Sequence, residues 1–276
     1  MNTYFQLISL LLLLLISCGG STSDVNDTTL SNSGNYNNST PNTPTQSYTF
    51  NNELVWSDEF DQDGPVSQDK WNVETIPPNN GSWWNGELQF YTDKEDNIRV
   101  EEGLLKITAK YESYEGKNYT SARINTQDKF EFTYGRVEMR AKLPNWEGMW
   151  PAFWLLGANI DEIGWPNCGE LDILEHGDYV KDSTSNDPGL ISSAVHYGPQ
   201  DYSRQTTNVP GKIFFDTGQE RFIRSEKIIE KPFEEYHTYS MQWAPDKIQF
   251  FIDEEMHFEF PMQSQHSPFD KPFFLL

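Results

Sequence analysis

The chain has 276 residues, with 42 Asp and Glu against 20 Lys and Arg, and a net charge of −22 at neutral pH. That balance excludes a nucleic-acid partner, because binding phosphates needs clustered cations, and it excludes electrostatic adhesion to anionic lipid headgroups. Two cysteines, Cys18 and Cys168, exclude a disulfide-stapled scaffold, and no Cys/His spacing suggests structural zinc.

Residues 7–16, Leu-Ile-Ser followed by six Leu and Ile, are too short an apolar run for a transmembrane helix and suit the apolar region of a signal peptide. Leu15-Ile16-Ser17-Cys18-Gly19 resembles a bacterial lipobox, although residues 1–6 carry no Lys or Arg. The resemblance implies a leader over residues 1–17, cleavage before Cys18 and a lipid on the new N-terminus. Residues 19–49 are mostly Ser, Thr, Asn, Gly and Pro, too polar to offset the entropy of ordering. Residues 18–49 therefore read as a lipidated Cys and a flexible tether. The expected location is extracytoplasmic and lipid-anchored, at the outer membrane or surface of a Gram-negative bacterium. Only Asp24 and Asp27 of the acidic residues precede residue 50, so the acidity belongs to the domain at 50–276.

From Phe50 the apolar period is mostly two, the period of a half-buried strand. Trp83-Trp84-Asn85-Gly86-Glu87-Leu88-Gln89-Phe90-Tyr91-Thr92 mixes aromatics with amide and carboxyl groups, a mixture that sugar hydroxyls ask for. Leu104–Lys110 alternates as one strand. Val137, Met139, Ala141 and Leu143 alternate with Arg136, Glu138, Arg140 and Lys142. In Trp146-Glu147-Gly148-Met149-Trp150-Pro151-Ala152-Phe153-Trp154, strand spacing puts Trp150 and Trp154 on one face, as sugar-stacking indoles or as core. Ile191–Tyr197 and Tyr236–Trp243 read as strands. Asp246 to Phe260 reads as a hairpin turning at Asp253-Glu254-Glu255. No amphipathic helix longer than about two turns is expected. The pattern predicts one all-β sandwich. Its final run, Pro272-Phe273-Phe274-Leu275-Leu276, reads as a strand interior, which suggests a C-terminal truncation.

Gly169-Glu170-Leu171-Asp172-Ile173-Leu174-Glu175-His176-Gly177 is the most informative stretch. Leu171 and Ile173 face the core, so Glu170 and Asp172 face the other way. Strict alternation would send Glu175 inward, where an unpaired carboxylate is expensive. A β-bulge around Ile173-Leu174 returns it to the polar face. Three carboxylates on one strand face suit glycosidic bond cleavage, which needs a nucleophile and a protonated acid about 5–5.5 Å apart in retaining enzymes. Like charges at close range help such a pair keep one proton. A solvated acidic face or a calcium site would also explain the triplet on its own.

Together these stretches resemble glycoside hydrolase family 16. Glu170-x-Asp172-x-x-Glu175 matches the bulged form of that family's catalytic signature. Gly148–Trp154, Asn85–Thr92, Ser121-Ala122-Arg123-Ile124, Val195-His196-Tyr197-Gly198 and Tyr236–Trp243 resemble its laminarinase-like, endo-β-1,3-glucanase branch. The resemblance covers residues 50–276 in order. It implies a β-jelly-roll sandwich of the concanavalin A-like lectin/glucanase type, with a concave substrate cleft. By position it implies Glu170 as nucleophile, Glu175 as acid/base and Asp172 as the assisting carboxylate. Trp150, Trp154 and Arg123 would line the glycone side, and His196, Trp84, Asn85 and Glu87 would contact sugar. Family chains continue past the equivalent of Pro-Phe-Phe-Leu-Leu into one more strand, so 50–276 reads as lacking its last strand. Members often hold a structural calcium. Asp58-Glu59-Phe60 resembles half of that site, whose other half would lie in the missing strand, so no metal or other cofactor is expected to be required.

The resemblance therefore implies a retaining endo-glycosidase, acting as a monomer on β-1,3- or mixed β-1,3/1,4-glucan. Agar, porphyran or carrageenan are alternative substrates, and a transglycosylase is an alternative activity. A non-catalytic carbohydrate-binding jelly roll would keep the aromatics but need not keep both glutamates around an aspartate.

Overall fold

The structure, a computed structural model, describes residues 48–276 except 52, 178–186, 199–212, 217–220 and 263–267. The leader, Cys18 and nearly all of the tether lie outside the described residues. Eighteen strands and one helical turn are described. In chain order they begin with β1 (Asn72–Val73), β2 (Gln89–Tyr91), β3 (Ile98–Glu101), β4 (Leu104–Ile107), β5 (Lys110–Tyr114) and β6 (Lys117–Ser121). Next come β7 (Ile124–Asn125), β8 (Glu131–Phe132), β9 (Gly135–Ala141), β10 (Ala152–Gly157), α1 (Ile160–Ile163), β11 (Glu170–Glu175) and β12 (Leu190–Tyr197). The last are β13 (Ile213–Asp216), β14 (Arg221–Ile228), β15 (His237–Ala244), β16 (Lys247–Ile252), β17 (Glu255–Pro261) and β18 (Phe273–Leu275).

Two antiparallel sheets form the jelly-roll sandwich. One has seven strands in the order β13-β14-β12-β11-β10-β18-β8, the other four in the order β17-β16-β15-β9. Alternation explains what lies between them. Phe153 and Leu155 of β10, Leu171 of β11 and Val195 of β12 meet Tyr239, Met241 and Trp243 of β15 and Ile248 and Phe250 of β16 in one buried cluster. Trp243 stands edge-on to Phe273 of β18 at 5.2 Å between ring centroids, and its indole N–H donates to the Phe269 carbonyl. The apolar run at 273–275 is thus a strand between β10 and β8, and Leu276 exchanges backbone hydrogen bonds with Trp154.

Three expectations need adjustment. Leu104–Lys110 is not one strand: the chain breaks at Thr108-Ala109, where Thr108 N donates to the Asn97 carbonyl, and β4 and β5 join different sheets. The hairpin turns on two residues, Asp253 and Glu254, at φ of 49° and 66°, while Glu255 already opens β17. Positive φ at both central positions is the turn that matches strand twist; Asp253 tolerates it because its backbone N–H and a side-chain oxygen engage the backbone of Thr238. Trp150 and Trp154 do not share a strand, since β10 begins only at Ala152. Pro151 intervenes, and proline has no N–H to give a ladder.

Candidate active site

The bulge expected in the carboxylate strand is present. On one side Trp154 pairs with Asp172 and Ala152 with Glu175; on the other Ala194 pairs with Asp172 and Ser192 with Glu175. Two residues of β11 lie between these pairs but only Ser193 on β12, so the register shifts by one. Ile173 and Leu174 are both buried, at 0% and 1% exposure. Because directly paired residues share a face, Glu170, Asp172 and Glu175 follow the alternation of their partners His196, Ala194 and Ser192 and stand together on the outer face of the sheet. The bulge also shortens the row: four steps on β12 span about 13 Å, against roughly 16 Å for five unbulged steps.

The paired neighbours are small on both sides of Glu175 and on the β12 side of Asp172. Glu175 stands between Ala152 and Ser192, and Asp172 between Trp154 and Ala194. Each glutamate accepts from an indole. Trp150 Nε1 donates to Glu175 Oε1 at 3.1 Å, and Trp165 Nε1 donates to Glu170 Oε2 at 3.0 Å. Asp172, 2% exposed, has His196 Nε2 3.0 Å from its Oδ2, and the same nitrogen lies 3.9 Å from Glu170 Oε1. The imidazole stacks on Phe222 at 4.8 Å, which fixes its plane. Asp172 and His196 therefore tie the middle of the row to its Glu170 end.

Arg123 lies over Trp154, its guanidinium carbon 4.9 Å from the ring centroid. Glu74 holds it from behind at 3.2 Å and accepts in turn from Asn125. The arginine and indole so placed present a charged edge beside an aromatic surface on the carboxylate face. Of the more distant candidates, Trp84 and Asn85 are exposed on the loop before β2. Glu87 is buried and its carboxylate accepts from Asn85 N at 2.8 Å, so it shapes that loop from within. His196 is placed against the carboxylates.

Two features were not singled out from the sequence. Trp165, in the turn before Cys168, is one; its signal was an aromatic five residues ahead of the first carboxylate. The other is the ion pair Arg224–Glu226 on β14, 2.6 Å long, whose partners Ala194 and Ser192 place it on the same sheet face. Cys168, two residues before Glu170, is a free, fully buried thiol that burial, with the Glu170 charge second, pushes up to about 12.

One carboxylate oxygen each from Glu170 and Asp172 and a nitrogen of His196 lie within 4.8 Å of one another, a spacing that could ligate a metal. These groups already engage one another and Trp165. The calcium half-site fares worse. Asp58 accepts from Trp71 Nε1 at 2.8 Å, from Lys70 Nζ at 3.2 Å and from Phe60 N at 3.3 Å. Both oxygens are used, and the ammonium group opposes a divalent cation. The residues present do not fit calcium there.

Residues 85–273 match the family described as "Glycosyl hydrolases family 16". The chain is 36% identical over 235 residues to a β-glucanase of Rhodothermus marinus, covering 81% of this chain and 73% of that one. It is 32% identical over 255 residues to glucan endo-1,3-beta-glucosidase A1 of Niallia circulans, covering 85% of this chain but 34% of that longer one. Among solved structures, a LamA variant from Z. galactanivorans in complex with laminaritriose and laminaritetraose superposes with a TM-score of 0.66 at 37% identity, over 81% of this chain and 86% of that one.

Proposed function

The chain belongs to glycoside hydrolase family 16, and on that premise we propose that it is a retaining endo-β-glucanase cleaving β-1,3- or mixed β-1,3/1,4-glucan. The observation that carries the reading is the bulged strand, which gathers Glu170, Asp172 and Glu175 on one face beside Trp154 and Arg123. The names of the relatives, a β-glucanase and an endo-1,3-β-glucosidase, support the substrate class, as do the laminari-oligosaccharides bound by the solved relative.

In this mechanism a Glu170 oxygen attacks the anomeric carbon as the glycosidic C–O bond breaks, and the Glu175 proton passes to the departing oxygen. A glycosyl ester on Glu170 results. Glu175 then takes a proton from water, the water oxygen bonds to the anomeric carbon, and Glu170 leaves as carboxylate. The Trp165 N–H orients Glu170 for attack, and the Trp150 N–H fixes one oxygen of Glu175 so that the carboxyl keeps one orientation. Asp172, held by His196, is the assisting carboxylate. Trp154 offers an indole face to the ring on the glycone side, with Arg123 to bind its hydroxyls; Trp84 and Asn85 reach sugar farther out.

The test is hydrolysis of laminarin, lichenan, agarose and carrageenan, followed by reducing ends and by the anomer first released. Release of the β-anomer from the glucans supports the reading. Activity on the galactans alone refutes the substrate, and no activity on any of them favours a binding protein. Product lengths separate hydrolysis from glycosyl transfer. The monomeric, extracytoplasmic form lipidated at Cys18 is part of the same proposal. Metabolic labelling with a lipid analogue, lost on Cys18→Ser, tests the anchor.

A further inference from the structure

The β-bulge that turns Glu175 outward creates a local problem. Ile173 and Leu174 oppose the single residue Ser193, so one backbone unit falls outside the regular ladder. The structure meets this with a side chain. Ser193, fully buried on the core side of β12, donates its hydroxyl proton to the Ile173 carbonyl at 2.7 Å.

That hydroxyl has one proton, so its second contact, His257 Nε2 at 3.1 Å, has the imidazole donating. His257 comes from β17 in the facing sheet. Ser225 of β14 donates to the His257 carbonyl at 3.1 Å and lies 3.4 Å from Nδ1. Ser193 and Ser225 are direct partners across β12 and β14. Two buried serines, at positions where alternation places apolar residues, and a half-buried histidine at the β16–β17 register shift thus form one polar group that spans the two sheets. Buried polar groups cost stability unless bonded, and a pair of aliphatic side chains would pack here without that cost. Satisfying Ser193 alone would explain a hydrogen bond. It does not explain why the acceptor is the carbonyl of the bulged residue, two positions before Glu175.

We propose that Ser193 and His257 are positioning residues that lock the β11 bulge and thereby hold the carboxyl of Glu175 on the sugar side of the sheet. The proposal rests on the reading of Glu175 as acid/base. Without the lock the strand relaxes toward regular pairing, and a one-residue slip reverses the face of every following side chain. The defect falls on proton delivery to the leaving group, not on nucleophilic attack by Glu170, which precedes the bulge.

The test is kcat/KM of the full chain on aryl laminari-oligosides of graded leaving-group acidity, from dinitrophenyl to phenyl, and on laminarin. General acid catalysis is worth roughly 10²–10⁴-fold, and partial misplacement removes about tenfold of it. Ser193→Ala should lose about tenfold on phenyl oligosides and laminarin and stay within about twofold of wild type on the dinitrophenyl substrate. Ser193→Thr should restore much of the loss. Equal loss along the series, or no loss, overturns the proposal. Should Ser193→Ala fail to fold, His257→Phe against His257→Gln asks the same question, since only Gln keeps a donor. A steeper series for His257→Phe than for His257→Gln supports the lock, and matching slopes overturn it. Glu175→Ala separates the two claims: if it does not steepen the series, the acid/base reading fails first; if it does and the other variants do not, only the lock fails.

Discussion

Trp165→Phe removes a single interaction, the indole N–H bonded to Glu170 Oε2 at 3.0 Å, and keeps an aromatic ring. Hydrogen bonds to charged groups contribute about 1.5–3 kcal/mol. Trp165 is 47% exposed while the Glu170 side chain is 19% exposed, so water competes for the donor and the low end applies. A loss of about 1.5 kcal/mol in transition-state stabilisation is roughly tenfold in kcat/KM, at 1.36 kcal/mol per factor of ten. The substituted ring sits at the surface, so the melting temperature should move by no more than about 2 °C. The assay is initial-rate hydrolysis of laminarin beside a thermal melt. Trp165→Ala should lose more than Trp165→Phe, because it also removes aromatic surface from the sugar face. A Phe variant within twofold of wild type would refute the claim that the indole N–H holds the nucleophile. A large drop in melting temperature would mean the residue acts through the fold.

Glu170→Ser should fold with an unchanged or raised melting temperature, since it relieves crowding of like charge, and should lose at least about 10³-fold in kcat/KM on laminarin; near wild-type hydrolysis would remove Glu170 as nucleophile. Cys168 gives a pH-linked test. Its folded-state pKa, raised to about 12, lies above that of an unfolded thiol near 8.5, so the stability it contributes is full below about pH 8.5 and is lost as pH rises toward 12. In a Cys18→Ser background, a thiol reagent at pH 8 should leave folded protein unmodified and titrate one thiol after denaturation; rapid reaction of native protein would contradict the burial. Chelation with EDTA should leave the melting temperature unchanged, because Lys70 and Trp71 already occupy Asp58; a drop restored by calcium would overturn that account.

Most of the carboxylate strand is legible from alternation and the cost of burying an unpaired charge. An inward Glu175 is unaffordable, a bulge is the cheapest remedy, and the bulge lies between the expected residues. The same alternation puts Trp150 and Trp154 on the carboxylate face, where both indeed lie, but it wrongly runs one strand through Pro151, whose missing N–H is visible in the sequence. The family resemblance marks His196 as facing sugar, yet its partners Asp172 and Glu170 depend on the register of β11 against β12, fixed by contacts some twenty residues apart. Trp165 lies in a turn with no periodicity to read. Arg224 and Glu226 resemble any solvated charge pair until the row Trp154–Asp172–Ala194–Arg224 puts them on the carboxylate face. Local chemistry can thus be read from spacing, whereas which side chains meet across strands needs the register itself.

That row also bears on which polysaccharide the site accepts. The net charge of −22 does not decide it, because a few local cations can hold a sulfate ester in an acidic protein. Placement is more informative. Arg123 is bound to Glu74 at 3.2 Å and Arg224 to Glu226 at 2.6 Å. Each cation is already balanced by its own carboxylate, and three further carboxylates stand between them. A sulfated galactan would bring its anions to a surface where both arginines are engaged and the remaining charge is negative. Breaking either pair to bind sulfate would strand a carboxylate in a part-buried site, at a cost of several kcal/mol. A neutral glucan needs no such exchange: its hydroxyls can bond to both members of each pair at once. Raising ionic strength should therefore change KM for laminarin little. A steep rise in KM with salt would mean that the arginines meet an anionic substrate.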